Sequence, residues 1–125
     1  MRRTSITILL AACFFTADLA ADTARLLRFP DIHGDTVAFV YAGDIYTASV
    51  EGGAAQRLTS HEGMEIFPKF SPDGSQIAFS AEYNGTRQVF VMPAAGGTPK
   101  QLTWYNDVGP MPPRGGFDYR VLDWT

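Results

Sequence analysis

Hydrophobic and polar residues alternate along this chain in short runs, and the same series of runs occurs twice. Each copy contains a β-branched and aromatic run, a second such run, a pair of glycines and a Leu-Thr pair. The first copy comprises residues 36–41, 44–46, 52–53 and 57–59, and the second comprises residues 76–81, 89–91, 96–97 and 101–103. Alternation with a period of two is typical of strands that bury one face, so both copies are predicted to be β-structure.

The spacing between the copies indicates which kind of β-structure they form. The Gly-Gly pairs lie 44 residues apart, as do the Leu-Thr pairs, whereas the Ala-Phe pairs at 38–39 and 78–79 lie 40 residues apart. The second copy therefore has four extra residues between its middle strands. A repeat of roughly 40–45 residues with several short strands is typical of a β-propeller blade, which buries its apolar face only against neighbouring blades.

We predict an all-β fold made of blades of four antiparallel strands. The expected strands are residues 25–29, 36–41, 44–49 and 56–58 in the first blade, and residues 66–70, 76–82, 88–92 and 99–102 in the second. Ala42-Gly43 and Asn84-Gly85 mark reversals between middle strands, and Asn84-Gly85 suits a type I′ turn. Residues 71–74 (SPDG) have the order that a type I turn favours, and residues 31–34 occupy the matching place in the first blade.

The repeat divides the chain into a leader and a partial propeller. Residues 1–21 are interpreted as a signal peptide, and residues 22–125 as a partial β-propeller. The propeller part comprises blade 1 at about 25–59, blade 2 at about 65–103, an insert at 106–117 and the start of blade 3 at about 119–125. Because the last strand would lack partners, the chain is expected to be a fragment of a longer protein. The Pro- and Gly-rich insert is either a tolerated surface loop or a rim loop that contacts a substrate or a neighbouring subunit.

The leader has the order of charge and hydrophobicity of a secretory signal peptide. Arg2 and Arg3 precede an apolar run of ten residues at 6–15, which is too short to cross a bilayer of about 30 Å as a helix. A periplasmic or secreted protein is expected, with a lipoprotein anchored through Cys13 or a cytoplasmic protein as the alternatives. Cys13 is the only cysteine, so disulfides are excluded once the leader is removed. The net charge of −3 argues against nucleic acid as a partner.

No catalytic constellation can be assembled from the sequence. The two histidines, His33 and His61, lie beside predicted turns, and the motifs of nucleophile elbows, zinc proteases and phosphate-binding loops are absent. His61, Glu62 and Glu65 could form a metal cluster, but we favour a solvated loop between blades. We therefore predict no catalytic, cofactor-binding or metal-binding residues. Five aromatic residues are expected to pack between blades as core rather than as a ligand cage, namely Phe39, Tyr46, Phe70, Phe79 and Phe90.

The strand and turn motifs of both copies match those of a known family. They are residues 43–46 (GDIY), 52–61 (GGAAQRLTSH), 68–74 (PKFSPDG), 77–79 (IAF), 82–85 (EYNG) and 93–103 (PAAGGTPKQLT). Together they closely resemble the opening of tricorn-type proteases, over about residues 26–125. Some of these motifs also occur in TolB-type periplasmic proteins and in propeller-bearing prolyl peptidases and amidohydrolases, so they identify the blade type more strongly than the parent protein.

The resemblance implies a function that the residues alone do not. In tricorn-type proteases a six-bladed propeller precedes a seven-bladed propeller, a PDZ-like domain and a serine peptidase domain that holds the catalytic residues. The chain is accordingly expected to be a fragment of a six-bladed, TolB-like propeller, the non-catalytic N-terminal propeller of an exported serine peptidase, which gates or filters peptide substrates. Its implied partners are peptide or protein substrates and the downstream domains of the same parent chain, with homo-oligomerisation left open. The alternatives are a TolB-type propeller that binds envelope proteins and the propeller of another hydrolase.

Overall fold

The computed structural model of the chain describes residues 26–104 and 120–125, and its regular structure there consists of strands alone. The strands form two four-stranded antiparallel sheets, each with its strands in sequence order. Blade 1 contains β1 (Arg28–His33), β2 (Thr36–Tyr41), β3 (Asp44–Ser49) and β4 (Gln56–Arg57). Blade 2 contains β5 (Glu65–Phe70), β6 (Gln76–Ala81), β7 (Gln88–Pro93) and β8 (Lys100–Gln101). The predicted all-β fold of four-stranded antiparallel blades is confirmed.

One hydrophobic cluster joins the two sheets. Its members alternate along the strands, because successive side chains of a strand point to opposite faces. The buried cluster comprises Ala38, Val40 and Ile45 from blade 1, and Ile77, Phe79, Ala81, Phe90 and Met92 from blade 2. Burying each large apolar side chain contributes about 1.5–3 kcal/mol. The stacking of the blades therefore supplies a core that neither sheet has alone.

Stacked aromatic rings occupy equivalent positions in the two blades. Phe79 and Phe90 lie 5.9 Å apart in the shared cluster, and Phe70 packs against the same cluster, so these three pack between blades as predicted. Phe39 and Tyr46 form the same stack in blade 1, also with centroids 5.9 Å apart. Because Phe39 alternates with the residues that face blade 2, this second stack lies on the opposite face of blade 1.

The first strand of each blade contains a bulge. Phe29 and Phe67 have positive φ angles of 52° and 57°, each precedes a proline, and the strand register shifts at both places. Proline cannot donate to the strand ladder, so an unpaired bulge accommodates it. The motifs taken from the sequence do not include this repeated Phe-Pro pair. The predicted bounds of the first strand, 25–29, are wrong, because β1 runs from Arg28 to His33.

The reversals between strands confirm some turn predictions and correct others. Ala42 and Gly43 have φ angles of 52° and 94° between the paired Tyr41 and Asp44, as a tight reversal requires. The type I′ turn at Asn84-Gly85 is wrong, because six residues, 82–87, separate the paired strands and only Gly85 there has a positive φ. This longer loop accounts for the four extra residues of the second copy.

The first hairpins of the two blades differ in length. The turn at residues 71–74 is confirmed by a hydrogen bond of 2.8 Å from the Gly74 amide to the Ser71 carbonyl. Residues 31–34 are not its counterpart, because β1 continues to His33, which pairs with Thr36 and leaves a two-residue turn. The remaining strands agree with the prediction to within one residue at each end.

The C-terminal residues lie beside the first strand of blade 2. Trp124 Nε1 donates a hydrogen bond of 3.0 Å to the Lys69 carbonyl, and the Arg120 guanidinium lies 4.5 Å from the Phe67 ring centroid. Residues 120–125 form no strand. The signal peptide at 1–21 and the insert at 106–117 lie outside the described residues. Within the part of the chain that the structure describes, no helix is long and apolar enough to cross a membrane.

Candidate functional site

A mostly apolar groove opens where the two blades meet. It has a volume of about 230 Å³ and is lined by residues of β1, of the β2–β3 turn and of the start of β5, among them Phe29, Gly43 and Ile66. Leu26 and Met64, which also line it, have 69% and 51% of their surface exposed. Ligand sites in proteins are usually apolar with a few placed polar groups, so this groove is a candidate contact site for an apolar side chain.

A buried carboxyl group lies at the base of this junction. Glu65, the first residue of β5, is fully buried. Its Oε2 accepts a hydrogen bond of 3.0 Å from the Thr59 hydroxyl, and its Oε1 accepts one of 2.9 Å from the Tyr83 hydroxyl. The Glu65 amide donates to the carbonyl of Gly43 at 2.8 Å. Glu65 is therefore held by groups from both blades.

An ion pair in blade 1 borders this carboxyl group. Arg57 Nη2 lies 2.7 Å from Asp44 Oδ2, and Arg57 Nε donates to the Thr59 carbonyl at 2.7 Å. The Thr59 hydroxyl in turn accepts a hydrogen bond of 2.8 Å from the Ile45 amide. Arg57 is thus directed at Asp44, and Glu65 receives hydrogen bonds from the neutral hydroxyls of Thr59 and Tyr83.

These surroundings change the acidity of both titratable partners. Burial raises the pKa of Glu65 to about 7, and the negative charge of Asp44 acts in the same direction. The hydrogen bonds from Tyr83 and Thr59 and the positive charge of Arg57 oppose this rise. Burial, followed by the nearby Glu65 carboxyl, raises the pKa of Tyr83, which keeps its phenol neutral.

Blade 2 contains a similar arrangement in which the threonine donates to an amide oxygen instead of a carboxyl group. The Thr103 hydroxyl accepts a hydrogen bond of 2.9 Å from the Val89 amide, as Thr59 does from its own blade. However, Thr103 donates to Gln88 Oε1 at 2.8 Å, and Gln101 Nε2 donates to the Thr103 carbonyl at 2.7 Å. Glutamines therefore replace the ion pair of blade 1, and the threonine hydroxyl stays within its own blade.

The residues considered for a metal cluster are not brought together. His61 and Glu62 are exposed, and His61 Nδ1 accepts a hydrogen bond of 2.9 Å from the Gly63 amide. The solvated-loop interpretation is therefore right for these two residues and wrong for Glu65, which is buried in a strand. Across residues 26–104 and 120–125, no three metal-ligating side chains are grouped so as to hold an ion.

Sequence reasoning placed Glu65 in a solvated loop because the polar residues 60–62 closely precede it. A signal was nevertheless present in the Leu-Thr pairs at 58–59 and 102–103, which mark the two threonines with equivalent roles. The other predicted histidine, His33, lies at the end of β1 with its ring 6.0 Å from that of Phe70. It packs against the next blade and is not close to the groove-lining residues at the start of β1.

Comparison with known proteins decides the family. The family model described as the Tricorn protease N-terminal beta propeller domain matches residues 24–125. The chain belongs to this family. A tricorn protease homolog of Streptomyces coelicolor is 37% identical over 82 residues, which are 66% of this chain and 8% of the relative. A Tricorn-like protease N-terminal subunit from Sulfurisphaera tokodaii is 30% identical over 115 residues, which are 89% of this chain and 53% of the relative.

Solved structures place the two blades among tricorn and TolB propellers. The crystal structure of the tricorn protease superposes with a TM-score of 0.56 and 30% identity, over 62% of this chain and 8% of that chain. A TolB structure from Agrobacterium tumefaciens gives a TM-score of 0.53 with 28% identity, over 58% of this chain and 27% of that chain. The chain thus spans 8% of the tricorn protease and about half of the Sulfurisphaera tokodaii subunit, and it shares the blade architecture of the tricorn and TolB propellers.

Proposed function

We propose that these blades belong to a propeller that admits or filters peptides for a serine-type peptidase located elsewhere in the parent protein. The observation that carries the proposal is the match of the N-terminal propeller family to residues 24–125. The groove between the blades supports it, because an apolar recess of about 230 Å³ suits one side chain of an unfolded peptide better than a folded partner.

Within this proposal the described blades themselves carry out no chemistry. The hydroxyls of Thr59 and Tyr83 both donate to Glu65, and neither is paired with a histidine base. Nucleophilic catalysis needs a nucleophile and a base within hydrogen-bond reach. The blades therefore contribute binding and access, and the parent's peptidase residues act on the peptide after its passage.

The experiment compares peptide hydrolysis by the full-length protein and two matched variants. Met64→Trp places a larger side chain at the rim of the groove. Val50→Trp is the control, because Val50 is similarly exposed (45%, against 51% for Met64) but follows the end of β3, away from the groove-lining turn at its start. We expect Met64→Trp to lower kcat/KM for long unstructured peptides by about threefold to tenfold and to leave a dipeptide-sized substrate unaffected. Val50→Trp should match the wild type on both substrates.

The outcomes separate the two parts of the proposal. Absence of peptide hydrolysis by the wild-type protein would contradict the peptidase assignment. Hydrolysis with equal effects of the two variants would contradict the role of the groove in admission. A TolB-like binding propeller remains the second candidate, because the structural likeness to TolB is nearly as close as that to the tricorn protease. That candidate predicts capture of folded partners without any peptide hydrolysis.

We also propose that the protein is exported, on the basis of the leader at residues 1–21. The peptides it receives are then those of the cell envelope or the medium. Cell fractionation followed by mass measurement of the mature N-terminus tests this directly. Loss of about 21 residues in the envelope fraction supports export, whereas an intact N-terminus in the cytoplasm contradicts it.

A further inference from the structure

The junction between the blades contains a carboxyl group that is held without a cation of its own. Glu65 is fully buried, and the two hydrogen bonds to its oxygens come from the neutral hydroxyls of Thr59 and Tyr83. We propose that Glu65 is a proton-controlled contact between blades 1 and 2. With a proton on its carboxyl group the junction is closed, and loss of that proton loosens it.

The charged and titratable groups around Glu65 favour its neutral form. From β3, the negative charge of Asp44 opposes ionisation. From β4, the guanidinium of Arg57 favours it, but this cation is bound to Asp44 at 2.7 Å. From the connecting segments, Tyr83 is neutral, and the exposed ring of His61 is tilted against the Tyr83 ring with their centroids 4.1 Å apart. The positive charge of Arg57 near Glu65 is thus already paired with the Asp44 carboxylate.

Proton loss changes the hydrogen bonding of the site. A protonated Glu65 accepts a hydrogen bond from one of the two hydroxyls and donates one to the other, which turns its own hydrogen away, so both contacts persist without a buried charge. An ionised Glu65 places a negative charge in a buried site that contains no compensating charge of its own, which costs free energy unless water enters. Opening of the junction hydrates the carboxylate, and ionisation therefore favours the open form.

The direction of the pH dependence follows from this linkage. Burial raises the pKa of Glu65 from 4.5 to about 7. The stability that the neutral acid gives to the closed junction is complete below about pH 4.5 and is lost as the pH rises through about 7. Gly43, whose carbonyl accepts a hydrogen bond from the Glu65 amide, also lines the groove. Loosening of the junction therefore alters the groove as well.

The second blade provides an internal comparison. There, the threonine hydroxyl donates to the amide oxygen of Gln88, a group that does not titrate. The hydrogen bond from the adjacent strand is the same, with the Val89 amide donating to the Thr103 hydroxyl at 2.9 Å. In blade 2 the threonine thus donates to a group without a titratable proton, whereas the carboxyl group of Glu65 makes the contact of Thr59 sensitive to protons.

The test is hydrogen exchange of the full-length protein between pH 5 and pH 8, with exchange rates corrected for intrinsic chemistry. We expect the opening of peptides that contain the Ile45 and Glu65 amides to increase about tenfold to hundredfold across this range. Peptides that contain the Val89 amide should show no such change. The same pH dependence of opening in both sets of peptides would overturn the proposal.

Two variants identify the group that titrates. Glu65→Gln retains one donor and one acceptor and should remove the pH dependence, leaving the junction closed at pH 8. Glu62→Gln removes the same charge from an exposed position three residues away and should behave as the wild type. Retention of the pH dependence in Glu65→Gln, or its loss in Glu62→Gln, would assign the titration to another group and refute the proposal.

Discussion

Gly34 and Gly74 lie in the first hairpins of the two blades and show how residues with the same conformation have different neighbours. Their φ angles are 54° and 71°, in the left-handed region that strains residues with a β-carbon. A β-carbon at Gly34 would meet nothing within 4 Å, whereas one at Gly74 would lie 2.2 Å from Cδ2 of His33 in the other blade. Glycine at 74 is therefore required for space as well as for conformation.

This difference predicts unequal losses of stability. Gly34→Ala should lower the free energy of unfolding by about 1–2 kcal/mol through strain alone. Gly74→Ala should cost about 1 kcal/mol more, because the exposed His33 ring must leave its place beside Phe70. Denaturant unfolding of the full-length protein gives both values. In a His33→Ala background the two alanine variants should lose equal amounts, and a difference that persists there would contradict the assigned contact.

A threonine next to each outer strand satisfies a backbone amide of the adjacent strand, and this controls stability at the scale of the element. Thr59 accepts from the Ile45 amide at 2.8 Å, and Thr103 accepts from the Val89 amide at 2.9 Å. Replacement by valine keeps the shape and leaves the amide without its partner, which costs about 1–3 kcal/mol for a buried donor.

The two replacements should differ because their surroundings differ. Thr59 is buried and also donates to Glu65, whereas Thr103 is partly exposed, so Thr59→Val should be about 1 kcal/mol more destabilising than Thr103→Val. Thr59→Ser, which retains the hydroxyl, should recover most of the loss. Thermal unfolding of the three variants provides the comparison, and equal losses for the two valine variants would contradict the role of Glu65.

The elements that the sequence predicted well are those in which alternation and turn chemistry agree. The predicted strands at 36–41 and 44–49 have their observed bounds, because β-branched and aromatic residues are frequent there and Ala42-Gly43 marks a tight reversal between them. The first strand was misplaced because Phe29-Pro30 reads as a strand end. The structure continues the strand through a bulge at that pair, a solution that depends on the partner strand.

The buried acid could not be predicted for a related reason. Glu65 follows Ser60, His61, Glu62 and Gly63 closely, so the local sequence is typical of a solvated connection. Its burial arises from the packing of blade 2 on blade 1, which brings Tyr83 and Thr59 to either side of it. Contacts between elements that are distant in the chain leave no local pattern, and the repeat reveals only the threonines.

For the whole molecule, stability depends on what covers the outer face of blade 1. That face carries the stacked rings of Phe39 and Tyr46, with Tyr41 in edge contact with Tyr46 at 6.0 Å. The equivalent rings in blade 2 are buried against blade 1. Since repeat proteins gain stability from neighbouring interfaces and about three repeats are usually needed, two blades alone should be marginal.

The last prediction is that Tyr46→Lys has opposite effects in an isolated segment and in the full-length protein. In the segment of residues 22–125 the half-buried ring belongs to an apolar face without a neighbouring blade, so a lysine should increase the monomeric fraction measured by sedimentation. In the full-length protein, where a neighbouring blade is expected on this face, the buried ammonium should lower the free energy of unfolding by about 2–4 kcal/mol. Glu51→Lys, which adds a similar charge at an exposed position, should have little effect in either protein. A segment that is monomeric without the change and unfolds cooperatively at about 45–65 °C would contradict the prediction, because the blades would then need no neighbour.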